Sequence, residues 1–200
     1  MVKHARVSLS ISDVARALAA SEGETNAIIE LLYASGARVS EVVKLWWGDV
    51  NLAGREVRLQ GKRGDERAVC LGLPCVKALT GLVAARGGLV APTDRVFPGL
   101  TTQNVRDRLK VLGQRIGLHL TPHLFRHAFA SHLHSNGASE RVIMDMLGHR
   151  RVDTTQIYLD VSDRTIQEKC DLITRAMANI RGRGDDPRAL RRTIGGLVLR

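Results

Sequence analysis

Residues 121–127 read Thr121-Pro122-His123-Leu124-Phe125-Arg126-His127, and the fold is best read outward from them. A threonine that can accept a backbone N–H is followed by a proline whose fixed φ and missing N–H suit the first helical position, so a helix starts here. It is predicted to run to about Ser135 and to stop at Asn136-Gly137. His123 and Arg126 stand three apart and share a face of its first turns. Free backbone N–H groups and the helix dipole favour an anion there, and a guanidinium can grip phosphate oxygens with two parallel hydrogen bonds.

Upstream, Ser12 or Asp13 could cap a first helix running to about Ala20. A second, over about 24–35, carries Ala27, Ile28, Leu31 and Leu32 at helical spacing and ends at Gly36. Ser40 could start a short third helix. Residues 50–72 alternate apolar and polar on either side of Gly61-Lys62-Arg63-Gly64, a hairpin pattern. Pro74 opens a helix over about 74–86, Gly87-Gly88 and Ala91-Pro92-Thr93-Asp94 read as loop, and a further helix covers 102–116. Downstream, Ser139-Glu140 opens a helix that Gly148 closes. Asp153-Thr154-Thr155 caps a short helix holding Tyr158, and a last helix covers about 163–180. The tail 181–200, with six arginines against two aspartates, reads as basic and flexible. The fold class is α+β, mainly helical, with one small antiparallel β-hairpin or sheet.

The chain has 200 residues, enough for one domain with a real core, here residues 1–180. Thirty Lys+Arg against 20 Asp+Glu give +10, which points to a polyanionic partner, nucleic acid before membrane. Cys70, Cys75 and Cys170 are odd in number and form no CxxC pair, so neither a disulfide framework nor a structural zinc site is expected. No apolar run reaches ~18 residues and no signal segment follows the N-terminus, which reads as a cytosolic chain with no membrane partner.

Six residues form the candidate site: Arg38, Lys62, His123, Arg126, His149 and Tyr158. Two guanidiniums, an ammonium, two imidazoles and a phenol, with no carboxylate among them, suit metal-free attack on a phosphodiester. Each has an ordinary alternative. His123 and Arg126 could be a solvated pair; His149, after Gly148, could offset a helix dipole; Lys62 could be a hairpin-tip solubility residue; Tyr158, between Ile157 and Leu159, could be core. A phenol with a reference pKa of about 10 needs a proton acceptor and cations beside it to attack phosphorus.

Taken in order, Leu31–Glu41 around Arg38, Gly61-Lys62, His123–Ala130, Leu147-Gly148-His149 and Thr154–Tyr158 resemble the motifs of the tyrosine recombinase (phage integrase) family, Xer-like, over about residues 8–175. The resemblance implies a catalytic domain that breaks and rejoins DNA strands with no metal or other cofactor. In it Tyr158 attacks the scissile phosphate and forms a 3′-phosphotyrosyl link. Arg38 and Arg126 bind the non-bridging oxygens, Lys62 is the general acid, His123 is the acid/base partner and His149 a hydrogen-bond donor. It also implies that Arg106, Arg108, Lys110 and Arg115 face double-stranded DNA and that the last helix (Ile166, Cys170, Ile173, Met177, Ile180) docks on a neighbouring protomer in a tetramer on DNA. The location implied is cytoplasmic and nucleoid-associated. Family members carry a core-binding domain before this region, and here it is expected to be absent.

Two rival readings differ in kind. His119, His123 and His127 recur every four residues like zinc ligands, but Pro122 starts the helix after His119, and no HExxH or neighbouring carboxylate accompanies them. The other rival is a recombinase-derived DNA-binding protein without independent cleavage.

Overall fold

The computed structural model describes residues 8–61, 66–148 and 198–199. The elements follow in chain order: α1 (Ile11–Ala19), α2 (Gly23–Ser35), α3 (Val39–Val42), a 3-10 turn (Trp47–Asp49), β1 (Val50–Asn51), β2 (Glu56–Gln60), β3 (Glu66–Cys70), α4 (Leu73–Ala85), β4 (Leu89–Val90), α5 (Thr102–Ile116), α6 (Pro122–Ser135), α7 (Glu140–Leu147) and β5 (Val198–Leu199). The architecture is mainly helical with a small antiparallel sheet, as the sequence predicts. The expected short helix holding Tyr158 and the one over about 163–180 lie outside the described residues.

Helix α2 is the centre. Its residues 27–35 are all buried, and α1, α4, α5 and α6 pack around it. A helix that is apolar almost all round belongs inside. The helix starts are set by local chemistry. Ser10, rather than Ser12 or Asp13, caps α1: its Oγ accepts the Asp13 N–H at 3.1 Å while the Asp13 carboxylate accepts the Ser10 N–H at 3.1 Å. Thr121 caps α6 through the Leu124 N–H at 3.2 Å, with Pro122 at the first position. Ser139 caps α7, and Gly148 ends it at φ 66°.

The sheet runs β1-β2-β3, all antiparallel. Val57 pairs with Val69 and Leu59 with Arg67. Side chains alternate between faces along a strand, so Arg67 lies on the same inward face as the buried Val57, Leu59 and Val69. This register sends a guanidinium toward the helices. A second sheet pairs β4, which lies between the two stretches read from sequence as loop, in parallel with β5; two-residue strands leave no period to read. Cys75 is free and buried. Cys70, at the end of β3, is disulfide-bonded. Spacing along a chain does not report distance across a fold. Among the described residues no helix is long and apolar enough to cross a membrane.

Gly36 connects packing to the site. It ends α2 at φ 59°, and a Cβ there would lie 2.5 Å from Phe129 Cδ1 and 2.9 Å from Leu147 Cδ2. Phe129 belongs to α6 and Leu147 to α7, so a bare backbone lets both helices close on the end of α2. Gly36→Ala is therefore expected to lose about 2–4 kcal/mol, combining left-handed strain with overpacking. Urea unfolding midpoints of the two proteins measure it.

Candidate functional site

The site forms where the α2–α3 turn, the first turns of α6 and the end of α7 meet. Arg38 is the residue before α3. Its backbone N–H donates to Glu41 Oε2 at 2.7 Å and its Nη1 to Glu41 Oε1 at 3.1 Å, while 43% of the side chain remains exposed. Glu41, at the third position of α3, is 4% exposed. Arg67 reaches it from β3, donating from Nη1 to Oε1 and from Nη2 to Oε2, both at 2.8 Å. This is the two-pronged guanidinium–carboxylate geometry that fixes both planes. Burial alone pushes the Glu41 carboxyl up, but the hydrogen bonds and charge of Arg67, with the Arg38 bonds, hold it below the usual carboxylate range.

Arg126 lies almost wholly inside. Its Nη1 donates to the Gly36 carbonyl, and its Nη2 to the Leu147 carbonyl at 2.8 Å. It thus joins α6 to the turn that leads into Arg38 and to the last residue of α7. Burial, then the like charges of Arg38 and Arg67, push its guanidinium down to about 10, against the pull of Glu41. It remains charged at neutral pH. That Arg126 feels Arg38, Arg67 and Glu41 places all four in one electrostatic cluster. Two guanidiniums, those of Arg38 and Arg67, bond the Glu41 carboxylate, and the buried Arg126 lies close enough to feel all three charges. Such a place favours an anion with room for more than one negative oxygen.

His123 is exposed on the second residue of α6. Its Nε2 lies 2.9 Å from Nε2 of His127, with the rings edge-to-face at 4.4 Å. One nitrogen of this contact donates and the other accepts, so His127 restrains the orientation and tautomer of His123. The histidines at spacing four are thus a pair. His119 precedes α6, and among the described residues no group of three or more His, Cys, Asp or Glu could hold a metal ion.

Tyr33 is core. It is 2% exposed, and its hydroxyl meets His132 Nδ1 at 2.7 Å. Burial raises the phenol pKa well above its ordinary value, and burial lowers that of His132 despite a backbone hydrogen bond to Leu9. Burial thus favours the neutral form of both partners.

Of the six predicted residues, Arg38, His123 and Arg126 are described, and Arg38 and Arg126 share the cluster; Lys62, His149 and Tyr158 lie outside the described residues. Of the four residues read as DNA-facing, Arg108 bonds Glu24 at 2.9 Å and Arg115 donates to the Ala20 carbonyl, while Arg106 and Lys110 are exposed. Sequence reading passed over Glu41 and Arg67. The one looked like an acidic first-turn residue and the other like a polar strand position; the inward register of Arg67 was the available signal.

The model of the phage integrase family matches residues 8–165. Tyrosine recombinase XerD of Shewanella oneidensis is 40% identical, over 83% of this chain and 61% of that protein. XerD of Mycobacterium leprae is 35% identical, over 80% and 58%. The chain spans about six tenths of the length of these relatives. Among solved structures, XerA recombinase is 31% identical with a TM-score of 0.68, over 84% of this chain and 65% of that one. The integrase from mycobacterium phage Brujita, 24% identical, shares the fold at a TM-score of 0.72, over 97% and 65%. Matched over most of its length and carrying the arginine and histidine motifs on the elements just described, the chain belongs to the phage integrase family.

Proposed function

We propose that this chain is the catalytic domain of a tyrosine-type site-specific recombinase, which cuts and rejoins double-stranded DNA through a 3′-phosphotyrosyl intermediate. The observation that carries the reading is the Arg38–Glu41–Arg67 network with the charged, buried Arg126 beside it. A phosphodiester gains negative charge as a nucleophile adds to phosphorus, and preorganised guanidiniums stabilise that gain. Arg38 offers an exposed guanidinium to the non-bridging oxygens, and the buried Arg126 adds its positive charge nearby.

The nucleophile is the Tyr158 phenol. The chain has two tyrosines, and Tyr33 is committed to the core and to His132. In the forward step the Tyr158 oxygen bonds to phosphorus and its proton passes to His123. The bond to the 5′ oxygen breaks, Lys62 supplies that oxygen's proton, and His149 donates a hydrogen bond to the phosphoryl group. A 5′ hydroxyl from another strand reverses these steps, so the phosphoester bond energy is retained without a metal or nucleotide. The partner is duplex DNA, engaged by a tetramer assembled through the apolar spacing of residues 166–180, in the cytoplasm at the nucleoid. The net charge of +10 supports DNA as the partner.

The test is covalent capture. A duplex pool of random sequence, each member nicked so that the cleaved end diffuses away, is incubated with the protein in EDTA and resolved in SDS. The wild type is expected to capture DNA and enrich one sequence, and Tyr158→Phe to capture none. Binding without capture by the wild type would instead favour the DNA-binding protein without cleavage.

A further inference from the structure

The two arginines of the family motifs do not hold themselves in place. Each of the three nitrogens of the Arg67 guanidinium donates to the framework around them. Nη1 and Nη2 grip Glu41, and Nε donates to the Met146 carbonyl at 2.9 Å. Glu41 in turn holds Arg38 by its backbone N–H and its Nη1. Met146 precedes Leu147, whose carbonyl Arg126 takes. Two guanidiniums therefore cap consecutive carbonyls at the negative end of the α7 dipole. The fit is close: a Cβ at Gly148 would come within 3.1 Å of Arg67 Cδ, so the glycine that ends α7 also leaves space for this side chain. The side chain that does this is only 12% exposed, too enclosed to be a contact for DNA itself.

We infer that Arg67 is a positioning residue for strand cleavage, setting Arg38 through Glu41 and Arg126 through the end of α7. This deepens the recombinase reading and rests on it. Arg67 touches no reacting atom. It orients the carboxylate that orients Arg38, and it keeps the α7 terminus at the distance Arg126 requires. Its charge also offsets Glu41, so that this carboxylate does not neutralise the anion site. A lysine cannot replace it, because a single ammonium cannot span two carboxylate oxygens and a carbonyl in one plane.

The experiment has two readouts on the wild type, Arg67→Lys and Arg67→Gln, after each has shown a cooperative unfolding transition. Hydrogen exchange is followed at the amide of Arg38, which donates to Glu41. Single-turnover cleavage of a captured nicked site and DNA affinity are measured separately. Arg67→Lys is expected to speed exchange at Arg38 at least about tenfold and to slow cleavage at least about tenfold, with DNA affinity within about twofold. Arg67→Gln is expected to be slower still, with partial recovery of cleavage on addition of guanidinium ion but not of ammonium. The double variant Arg67→Gln/Glu41→Gln is expected to cleave no more slowly than the worse single variant, because the two act as one unit. Unchanged exchange at Arg38 in the lysine variant overturns the positioning role whatever happens to cleavage. So does a loss of DNA affinity equal to the loss of rate. Faster exchange in a protein whose wild type captures no DNA leaves the hold of Arg67 on Arg38 standing but removes the recombinase reading and, with it, a role in cleavage.

Discussion

Arg126→Ala is expected to slow strand cleavage on the order of 10²-fold or more, measured as the single-turnover rate constant on a nicked site. Two effects combine. The positive field behind the phosphoryl group is lost, and with it the two carbonyl contacts that tie α6 to Gly36 and Leu147. Arg126→Lys separates them: it keeps a charge but cannot reach both carbonyls, so it should recover only part of the rate. Affinity for intact duplex, read by fluorescence anisotropy, should change far less than the rate, because a buried guanidinium contributes little to the first encounter with DNA. If Arg126→Ala cleaves normally, the anion site has been placed wrongly.

Glu41→Ala is expected to cost about 3–5 kcal/mol of stability, the toll of leaving buried cations without their counter-charge. Arg67 would lose both carboxylate bonds, and Arg38 the acceptor for its backbone N–H. Chemical denaturation at neutral pH measures this. The milder Glu41→Gln gives a pH signature. The Glu41 carboxyl titrates in the folded protein below its ordinary value of 4.5. Its stabilising contribution is therefore fully present above about that pH and disappears as the pH falls through the folded-state value. The stability gap between wild type and Glu41→Gln should accordingly narrow in acid. A gap that stays constant down to complete protonation would mean that the charge of Glu41 holds nothing together.

Much of this could be read in the sequence because local chemistry decided it. Thr121-Pro122, Ser139 and the glycines at 36 and 148 end or begin helices where the chain places them, since caps and left-handed backbone depend on neighbours within a few residues. The hairpin followed from alternation. Arg38 and Arg126 followed from motif order, and the fold brings them into one cluster. What escaped depends on pairs far apart in the chain. Glu41 and Arg67 are separated by 26 positions, and Arg67 and Met146 by 79. Taken alone, Glu41 suits a first helical turn and Arg67 the outside of a strand; only the register opposite Leu59 turns the arginine inward. The pairing of β4 with β5 and the bonded state of Cys70 are long-range in the same sense. A run of two residues has no period, and a cysteine's partner is set by tertiary approach.

The central claim is that one phosphate is shared between the guanidinium cluster and the phenol of Tyr158. Its most direct measurement is the identity of the residue that carries DNA after covalent capture. Digestion of the captured complex with trypsin and nuclease, followed by mass spectrometry, should give the peptide of residues 152–164 with a nucleotide joined through its 3′ phosphate to Tyr158. DNA joined to any other residue, or a linkage through the 5′ phosphate, would contradict the account.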